Sequence, residues 1–252
     1  MTQAVDPRVS ARGPAKTLPK RFYRAVTVAP RDSLFAVLLD ARPARTPGKK
    51  LLALPSVALA EAVAAEWQLQ DEFIDPFSMP LTRIANSAIE GVSGDMAAVA
   101  DEIVKYAGSD LVCYRAGEPQ MLADMQARAW DPVVNWARGE LGARFVLAQG
   151  VMFVAQLPEA MAAVRAAVAR AIGDGDAAPF RLAALSVITG LTGSALLALQ
   201  CAFGACPAEG AWAAAQVDED FQARMWGTDA EAQTRRAARW REMEAAGLML
   251  AL

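Results

Sequence analysis

The stretch that decides the fold is RTPGKKLLALPSVALAEAVAAEWQLQ, residues 45–70, because the spacing of its apolar side chains changes within it. Pro47 and Gly48 are turn residues, and the short apolar run that follows them is typical of a β-strand that ends at Pro55. Ser56 is then a candidate N-cap for a segment whose apolar residues recur at i, i+4 and i+8, the spacing of one helix face; they are Leu59, Val63 and Trp67. This pattern, a short strand followed directly by a helix, predicts that the helix packs on a small sheet.

Two segments upstream supply the rest of this sheet. RFYRAVTVAP (21–30) and SLFAVLLDARPARTP (33–47) alternate apolar with polar residues and contain many β-branched or aromatic side chains. The residues between them, from Pro30 to Ser33, suit a turn. The pattern predicts an antiparallel hairpin, and therefore a small sheet within the first 55 residues.

The remainder of the chain has the pattern of helices from about Thr82 onward. Pro132 either kinks a helix or begins a new one, and residues 143–156 are expected to be extended or irregular. The apolar segment from Phe180 to Phe203 predicts one central helix, followed by two further helices. The expected fold class is α+β: a small N-terminal antiparallel sheet with a packed helix, then a mainly α-helical C-terminal domain.

Three regions are predicted from this change of period. They are a disordered leader over residues 1–19, an N-terminal α/β domain over residues 20–95, and a C-terminal helical domain over residues 96–252. The sequence contains neither an internal repeat nor a low-complexity linker. The boundary near residue 95 therefore depends only on the change of apolar spacing.

Composition excludes several classes of protein. The 252 residues are 54% apolar, which is enough to bury a sizeable core, and the net charge of -3 without a basic stripe argues against nucleic acid as a partner. The chain has no histidine, so it lacks the usual general base and the commonest metal ligand, and its three cysteines form no CxxC pair. No metal and no cofactor are expected. No uninterrupted apolar run is long enough for membrane insertion, and the N-terminal residues lack the apolar segment of a secretory signal.

An acidic run near the C-terminus is the main candidate site. QVDEDFQARMWGTDAE (216–231) contains the consecutive acids Asp218, Glu219 and Asp220. One continuous helix through this segment would place Glu219 midway between Trp212 and Trp226, at intervals of seven residues, with Gln222 beside it. Consecutive helical residues diverge by about 100°, so the three acids cannot chelate one cation together. A solvated helix face, a buried hydrogen-bonded acid and a recognition patch for another protein remain open.

Local signals explain how this segment ends. Gly227 stops one helix, and Thr228 with Glu231 has the T-x-x-E spacing of a capping box for the next. Ser194 follows Gly193 without the second glycine of a nucleophile elbow, so it is not a predicted catalytic residue. A carboxylate-dependent enzyme acting on a small metabolite, with Glu219 or a neighbouring acid as general base, is kept as the alternative.

Several quoted segments together resemble one protein family. KRFYRAVTV, VLLDARPARTPGKKLLALPS and AAEWQLQDEFIDPFSMPLTRIANSAIE carry the resemblance in the N-terminal half, and DLVCYRA, QARAWDPVVNWA, LTGSALLALQ and DEDFQARMWGTDAEA continue it. They are similar, in order and over about residues 20–245, to the assembly chaperones for the α subunit of the F-type ATP synthase catalytic head. No single motif is specific, but their joint occurrence is.

The resemblance implies a protein that is not an enzyme and that binds the unassembled α subunit, hiding the surface that later contacts a β subunit. It also implies a functional acid in the C-terminal helical domain, and the match falls on Asp218, Glu219 and residues 222–227. Glu219 is the preferred acid because of the two tryptophans. The predicted partner-binding residues are Glu219, Asp218, Gln222, Trp212 and Trp226. The expected chaperone is independent of ATP, a monomer when free, and located in the bacterial cytoplasm, with the mitochondrial matrix as the location of eukaryotic relatives.

Overall fold

The computed structural model describes residues 18–150 and 152–251. Most of the predicted leader therefore lies outside the described residues. Its last two residues are described, and the carbonyl of Pro19 accepts a hydrogen bond of 2.9 Å from the backbone N–H of Ile74. This contact ties the beginning of the described chain to the loop after the first helix.

The predicted antiparallel sheet is present at the N-terminus. Strands β1 (Val26–Arg31) and β2 (Leu34–Leu39) form the hairpin, and β2 also pairs with the short strands β3 (Arg42–Pro43) and β4 (Ala53–Leu54). The run predicted as one strand over 33–47 reverses direction at Asp40 and Ala41, which both have positive φ. The carboxylate of Asp40 fixes this turn by accepting the backbone N–H groups of Arg24 and Ala25 at 3.0 and 2.9 Å.

Helix α1 (Val57–Gln68) packs on this sheet as predicted. The hydroxyl of Ser56 accepts the backbone N–H of Leu59 at 3.2 Å, which confirms the N-cap. Leu59 and Val63 of this helix are buried. Trp67, on the same face, is only half-buried at the end of the helix, where its ring packs against Tyr23 with 5.8 Å between centroids.

The rest of the described chain is mainly helical, which confirms the α+β class. The helices are α2 (Pro80–Glu90), α3 (Met96–Ala107), α4 (Gln120–Glu140), α5 (Pro158–Ile172), α6 (Ala178–Thr192), α7 (Ala195–Ala202), α8 (Ala208–Ala215), α9 (Val217–Trp226) and α10 (Ala230–Ala251). Residues 143–150 and 152–156 are irregular as expected, apart from strand β6 (Ala148–Gln149), which pairs in parallel with β5 (Tyr114–Arg115). Within residues 18–150 and 152–251, none of the helices has the length and apolar character needed to cross a membrane.

Pro132 lies inside α4, which continues across it, so of the two expected roles it does not begin a new helix. Two other expectations about helices change. The predicted central helix over 180–203 is wrong, because Gly193 adopts φ of 69° and Ser194 begins a new helix by accepting the backbone N–H of Leu197 at 3.1 Å. Three helices, rather than the expected two, follow α7, because the helical conformation is interrupted at Gln216 between α8 and α9.

Helices α6 and α7 form the centre of the core. Their fully buried side chains include Leu182, Leu185, Ile188, Leu196 and Leu197. Helix α2, from the predicted N-terminal domain, packs against α6 and α10, and Arg83 of α2 forms an ion pair of 2.7 Å with Glu242 of α10. The apolar core thus continues across residue 95, and the division into domains at that residue stays a prediction.

A buried carboxylate joins two parts of this core. Asp110 is fully buried before a short 3-10 turn, where its carboxylate accepts the backbone N–H groups of Val112 at 3.2 Å and Leu196, in the first turn of α7, at 3.1 Å. Burial raises the pKa of Asp110 to about 6, against the opposing effect of hydrogen bonds from Ser194 and nearby backbone groups. Asp110 therefore links the 3-10 turn to the start of α7.

Candidate partner-binding surface on helix α9

Helix α9 presents each of its three acids to a different environment. Val217 and Phe221 are its buried residues, and they fix which side of the helix faces the core. Asp218, Glu219 and Asp220 occupy the first turn, so their side chains diverge around the helix axis. This divergence agrees with the prediction that the three acids do not form one cation site. Among residues 18–150 and 152–251, no three His, Cys, Asp or Glu side chains are grouped as metal ligands would be.

Asp218 is engaged within the protein. Its carboxylate accepts a hydrogen bond of 2.7 Å from the side-chain amide of Gln126 on α4. The amide oxygen of Gln126, a buried residue, in turn accepts the backbone N–H of Ala116 at 2.7 Å. Asp218 therefore fastens α9 to α4, and its role is at least partly structural.

Asp220 is also engaged within the protein. It forms an ion pair with Arg236 on α10, in which both side chains are partly exposed. This pair links α9 to α10, the two helices that the short connection at residues 227–229 joins. Asp220 is therefore oriented toward α10 and away from Asp218.

Glu219 differs from both neighbours. It is exposed and makes no hydrogen bond or ion pair with any other residue in the described part of the chain. It lines a cleft of about 410 Å³ between α9 and α10. The arginines of this cleft are already occupied: Arg235 pairs with Glu231, Arg236 with Asp220, and Arg239 donates to the carbonyl of Leu191 at 2.7 Å. Glu219 is thus the acid of the run whose charge has no partner among the described residues.

Two of the other predicted residues share the face of Glu219. Gln222 and Trp226 lie three and seven residues further along α9, which places them on the same side of this helix. Gln222 is exposed, and Trp226 is 78% exposed. A carboxylate, an amide and an aromatic ring thus form one exposed strip, defined here as the α9 strip: Glu219, Gln222 and Trp226.

Trp212 does not belong to the α9 strip. The expectation of one continuous helix through Trp212, Glu219 and Trp226 is wrong, because α8 ends at Ala215 and α9 begins after Gln216. Trp212 is only 7% exposed, and its ring packs against Trp240 at 6.0 Å between centroids and beneath the guanidinium of Arg239 at 5.8 Å. Its position is that of a core residue between α8 and α10.

The end of α9 follows the sequence only in part. Gly227 ends the helix with φ of 84°, as expected. The capping box at Thr228 is wrong, because α10 begins one residue later and the carboxylate of Asp229 accepts the backbone N–H of Ala232 at 2.6 Å. Aspartate is at least as good an N-cap as threonine, so the shift by one residue is physically reasonable.

Sequence patterns gave little sign of the groups around Glu219. The pair between Arg235 and Glu231 has the i, i+4 spacing that is common on a solvated helix face. The ion pair between Arg236 and Asp220 joins two helices, and only their packing shows it. The cleft beside Glu219 was therefore missed.

The fold and this surface define the class of protein: an α+β protein whose candidate site is an exposed strip on a helix. A family model described as ATP12 chaperone protein matches residues 20–138. Atp12 from Paracoccus denitrificans is 43% identical, with 92% of this chain and 97% of that chain covered and a TM-score of 0.83, and an aspartate-to-lysine mutant of that protein gives the same values. The Atu1473 protein of Agrobacterium tumefaciens, described as a candidate chaperone, is 46% identical, with 98% and 91% covered and a TM-score of 0.88.

The chain belongs to the ATP12 chaperone protein family. This membership confirms the family resemblance of the quoted sequence segments.

Proposed function

We propose that this protein is an ATP-independent chaperone that binds the unassembled α subunit of the F-type ATP synthase and prevents its aggregation until β subunits join it. Family membership supports the chaperone role. The observation that carries the site is Glu219, which is exposed and has no partner within the described residues, on one strip with the 78% exposed Trp226. The proposed compartment is the bacterial cytoplasm, and the proposed state of the free protein is a monomer.

The composition of the α9 strip suits transient recognition. An unassembled subunit exposes apolar surface that its assembly partner would otherwise bury, and such surface promotes aggregation. Trp226 offers apolar area for it, and tryptophan is common at binding hot spots. The Glu219 carboxylate adds a charge that selects the orientation of the bound subunit. A β subunit that competes for the same surface would then release the chaperone.

The enzyme alternative receives no support from the same residues. A general base needs a neighbouring group that adjusts its proton affinity and a place for substrate beside it. The arginines of the cleft beside Glu219 are engaged with Glu231, Asp220 and the carbonyl of Leu191. We therefore propose no catalytic residue in this chain.

The function predicts a direct result in an aggregation assay. Purified α subunit diluted from denaturant should scatter less light when this protein is added at equal molar concentration without ATP, because binding covers the apolar surface through which α subunits associate. The complex should be recovered on an affinity tag, and added β subunit should displace it. Equal scattering with and without the protein would contradict the proposal. Equal binding to isolated β subunit would contradict its specificity.

A further inference from the structure

A second cleft is formed by the N-terminal part of the chain, between the turn at residues 45–47 and helix α2. Its volume is about 600 Å³. Its lining includes Arg45, Trp67, Ile74, Met79, Arg83 and Asn86. These residues come from the turn after β3, the end of α1, the following loop and α2. None of them belongs to the α9 strip.

Unpartnered polar atoms are concentrated at this cleft. Five buried side-chain nitrogen or oxygen atoms among the described residues have no hydrogen-bond partner. Three of the five belong to residues that line the cleft: Nε1 of Trp67, Nε of Arg83 and Oδ1 of Asn86. A buried polar atom without a partner is costly and uncommon, so three at one cleft require a physical reason.

The chemistry of these atoms indicates the kind of ligand. Trp67 and Arg83 each offer an N–H donor, and Asn86 offers an acceptor. A polypeptide backbone, which presents carbonyl and N–H groups in alternation, complements such a set. The charges do not favour an anion, because the guanidinium of Arg83 is already paired with Glu242 at 2.7 Å, and Arg45 and Glu90 on the lining have opposite charges.

The shape indicates an elongated ligand. A neighbouring cleft of about 690 Å³ shares Arg45, Trp67 and Ile74 with the first. It continues along the sheet to Phe22, which is 72% exposed. The two clefts together, defined here as the Trp67 trough, exceed the size of an ordinary metabolite site. Their apolar lining and exposed ring suit the side chains of an extended segment.

We propose that the Trp67 trough binds an extended segment of the client polypeptide. These three atoms are enclosed in the free protein, so the segment reaches them only after side-chain rotamers at the cleft change. Nε1 of Trp67 and Nε of Arg83 then donate hydrogen bonds to backbone carbonyl groups of the segment, and Oδ1 of Asn86 accepts a backbone N–H. The side chains of the segment lie against Ile74 and along the trough toward Phe22. This inference rests on the proposed function only in taking the client to be a polypeptide chain.

Trp67→Phe tests the proposal because it removes the indole N–H and keeps an aromatic ring. The N–H has no partner in the free protein, so the melting temperature should stay within about 2 °C of the wild-type value or rise slightly. The affinity for client segments should fall by about 5- to 10-fold, the worth of one hydrogen bond. Asn86→Leu, which removes the acceptor, should give a loss of similar size.

Trp130→Phe is the matched control. It makes the same chemical change at an indole that is fully buried and donates to the carbonyl of Ala214 at 2.7 Å. This variant should lose several degrees of melting temperature, on the order of 5 °C. Its affinity for client segments should equal that of the wild type.

Two probes separate this inference from the proposed function. One is a set of fluorescently labelled 13-residue peptides that tile the α subunit, and the other is reduced, carboxymethylated α-lactalbumin, a permanently unfolded chain; fluorescence anisotropy reports binding of both. Weaker binding of the peptides by Trp67→Phe supports the trough. Weaker binding of the unfolded chain alone also supports the trough, but counts against the α subunit as its client.

Three results would overturn the proposal. The first is binding of intact α subunit by a protein that binds neither probe, which leaves the proposed function standing. The second is wild-type affinity of Trp67→Phe and Asn86→Leu for both probes. The third concerns other occupants: binding that arises only after deletion of residues 1–17 assigns the trough to the chain's own N-terminus, and a dimer lost in Trp67→Phe assigns it to a second copy.

Discussion

Replacing Asp110 with alanine is expected to lower the free energy of unfolding by about 3 to 5 kcal/mol at neutral pH. Asp110 is fully buried and accepts the backbone N–H groups of Val112 and Leu196. Alanine leaves both donors buried without a partner and opens a small cavity between the 3-10 turn and α7. Urea denaturation followed by circular dichroism measures the loss.

The loss of stability caused by Asp110→Ala should depend on pH. The pKa of Asp110 is raised to about 6 in the folded protein from 3.8 in the unfolded chain, so between these values the native state holds a proton that the unfolded chain has released. The contribution of this group to stability is therefore greatest below pH 3.8 and declines as the pH rises through about 6. The difference in stability between wild type and Asp110→Ala should be larger at pH 4.5 than at pH 7.5.

Asp95→Ala provides the comparison for Asp110. Asp95 is exposed and caps α3 by accepting the backbone N–H of Ala98 at 3.0 Å. Its loss should cost about 1 kcal/mol, as for an ordinary helix cap. If Asp110→Ala costs no more than Asp95→Ala, the buried carboxylate is not an important link between the two parts of the core.

Replacing Glu219 with lysine is expected to weaken binding of the α subunit by about 10- to 100-fold. Lysine reverses the charge at the one acid of the run that has no partner in the described chain, so it places repulsion where the proposed contact lies. No hydrogen bond or ion pair with another residue of the described chain is lost, and the melting temperature should fall by no more than about 3 °C. Titration calorimetry and a thermal melt measure the two effects.

Three further variants locate this effect. Asp218→Lys and Asp220→Lys should lower the melting temperature more than Glu219→Lys does, because they break the contacts with Gln126 and Arg236. Glu61→Lys makes the same charge reversal at an exposed position of α1 and should leave α-subunit binding unchanged. Equal loss of binding in Glu61→Lys would show that net charge, and not the α9 strip, determines affinity. Unfolding of Glu219→Lys would show that this acid is structural.

Local signals in the sequence were enough to predict the N-terminal fold. The N-cap at Ser56 and the alternation of the hairpin act within a few residues, so the structure follows them closely. The split of the apolar segment over 180–203 was also encoded locally, in a glycine with positive φ followed by a capping serine. Continuous apolar character concealed it, because a buried helix and two buried helices have the same composition.

The site was less predictable because it depends on contacts between distant segments. Helical geometry separated the three acids, but it could not show which acid is free. Gln126 reaches Asp218 across 92 positions of sequence, and Trp212 is buried by Trp240 from another helix. The interruption of the helix at Gln216 could not be predicted, because neither glycine nor proline lies next to it. Trp67 lies on the apolar face that the spacing predicts but is only half-buried, because helical spacing gives the direction of a side chain and not how completely neighbours cover it.

Helix α10 has a consequence for how a client could be held. It is joined to α9 through Arg236 and to α2 through Glu242, six residues apart, which corresponds to about 9 Å along the helix axis. One helix thus anchors both proposed binding regions. Once a client is attached to the α9 strip, its contact with the Trp67 trough becomes intramolecular, so two weak attachments give strong combined avidity. Displacing either attachment would then be enough to speed handover of the subunit.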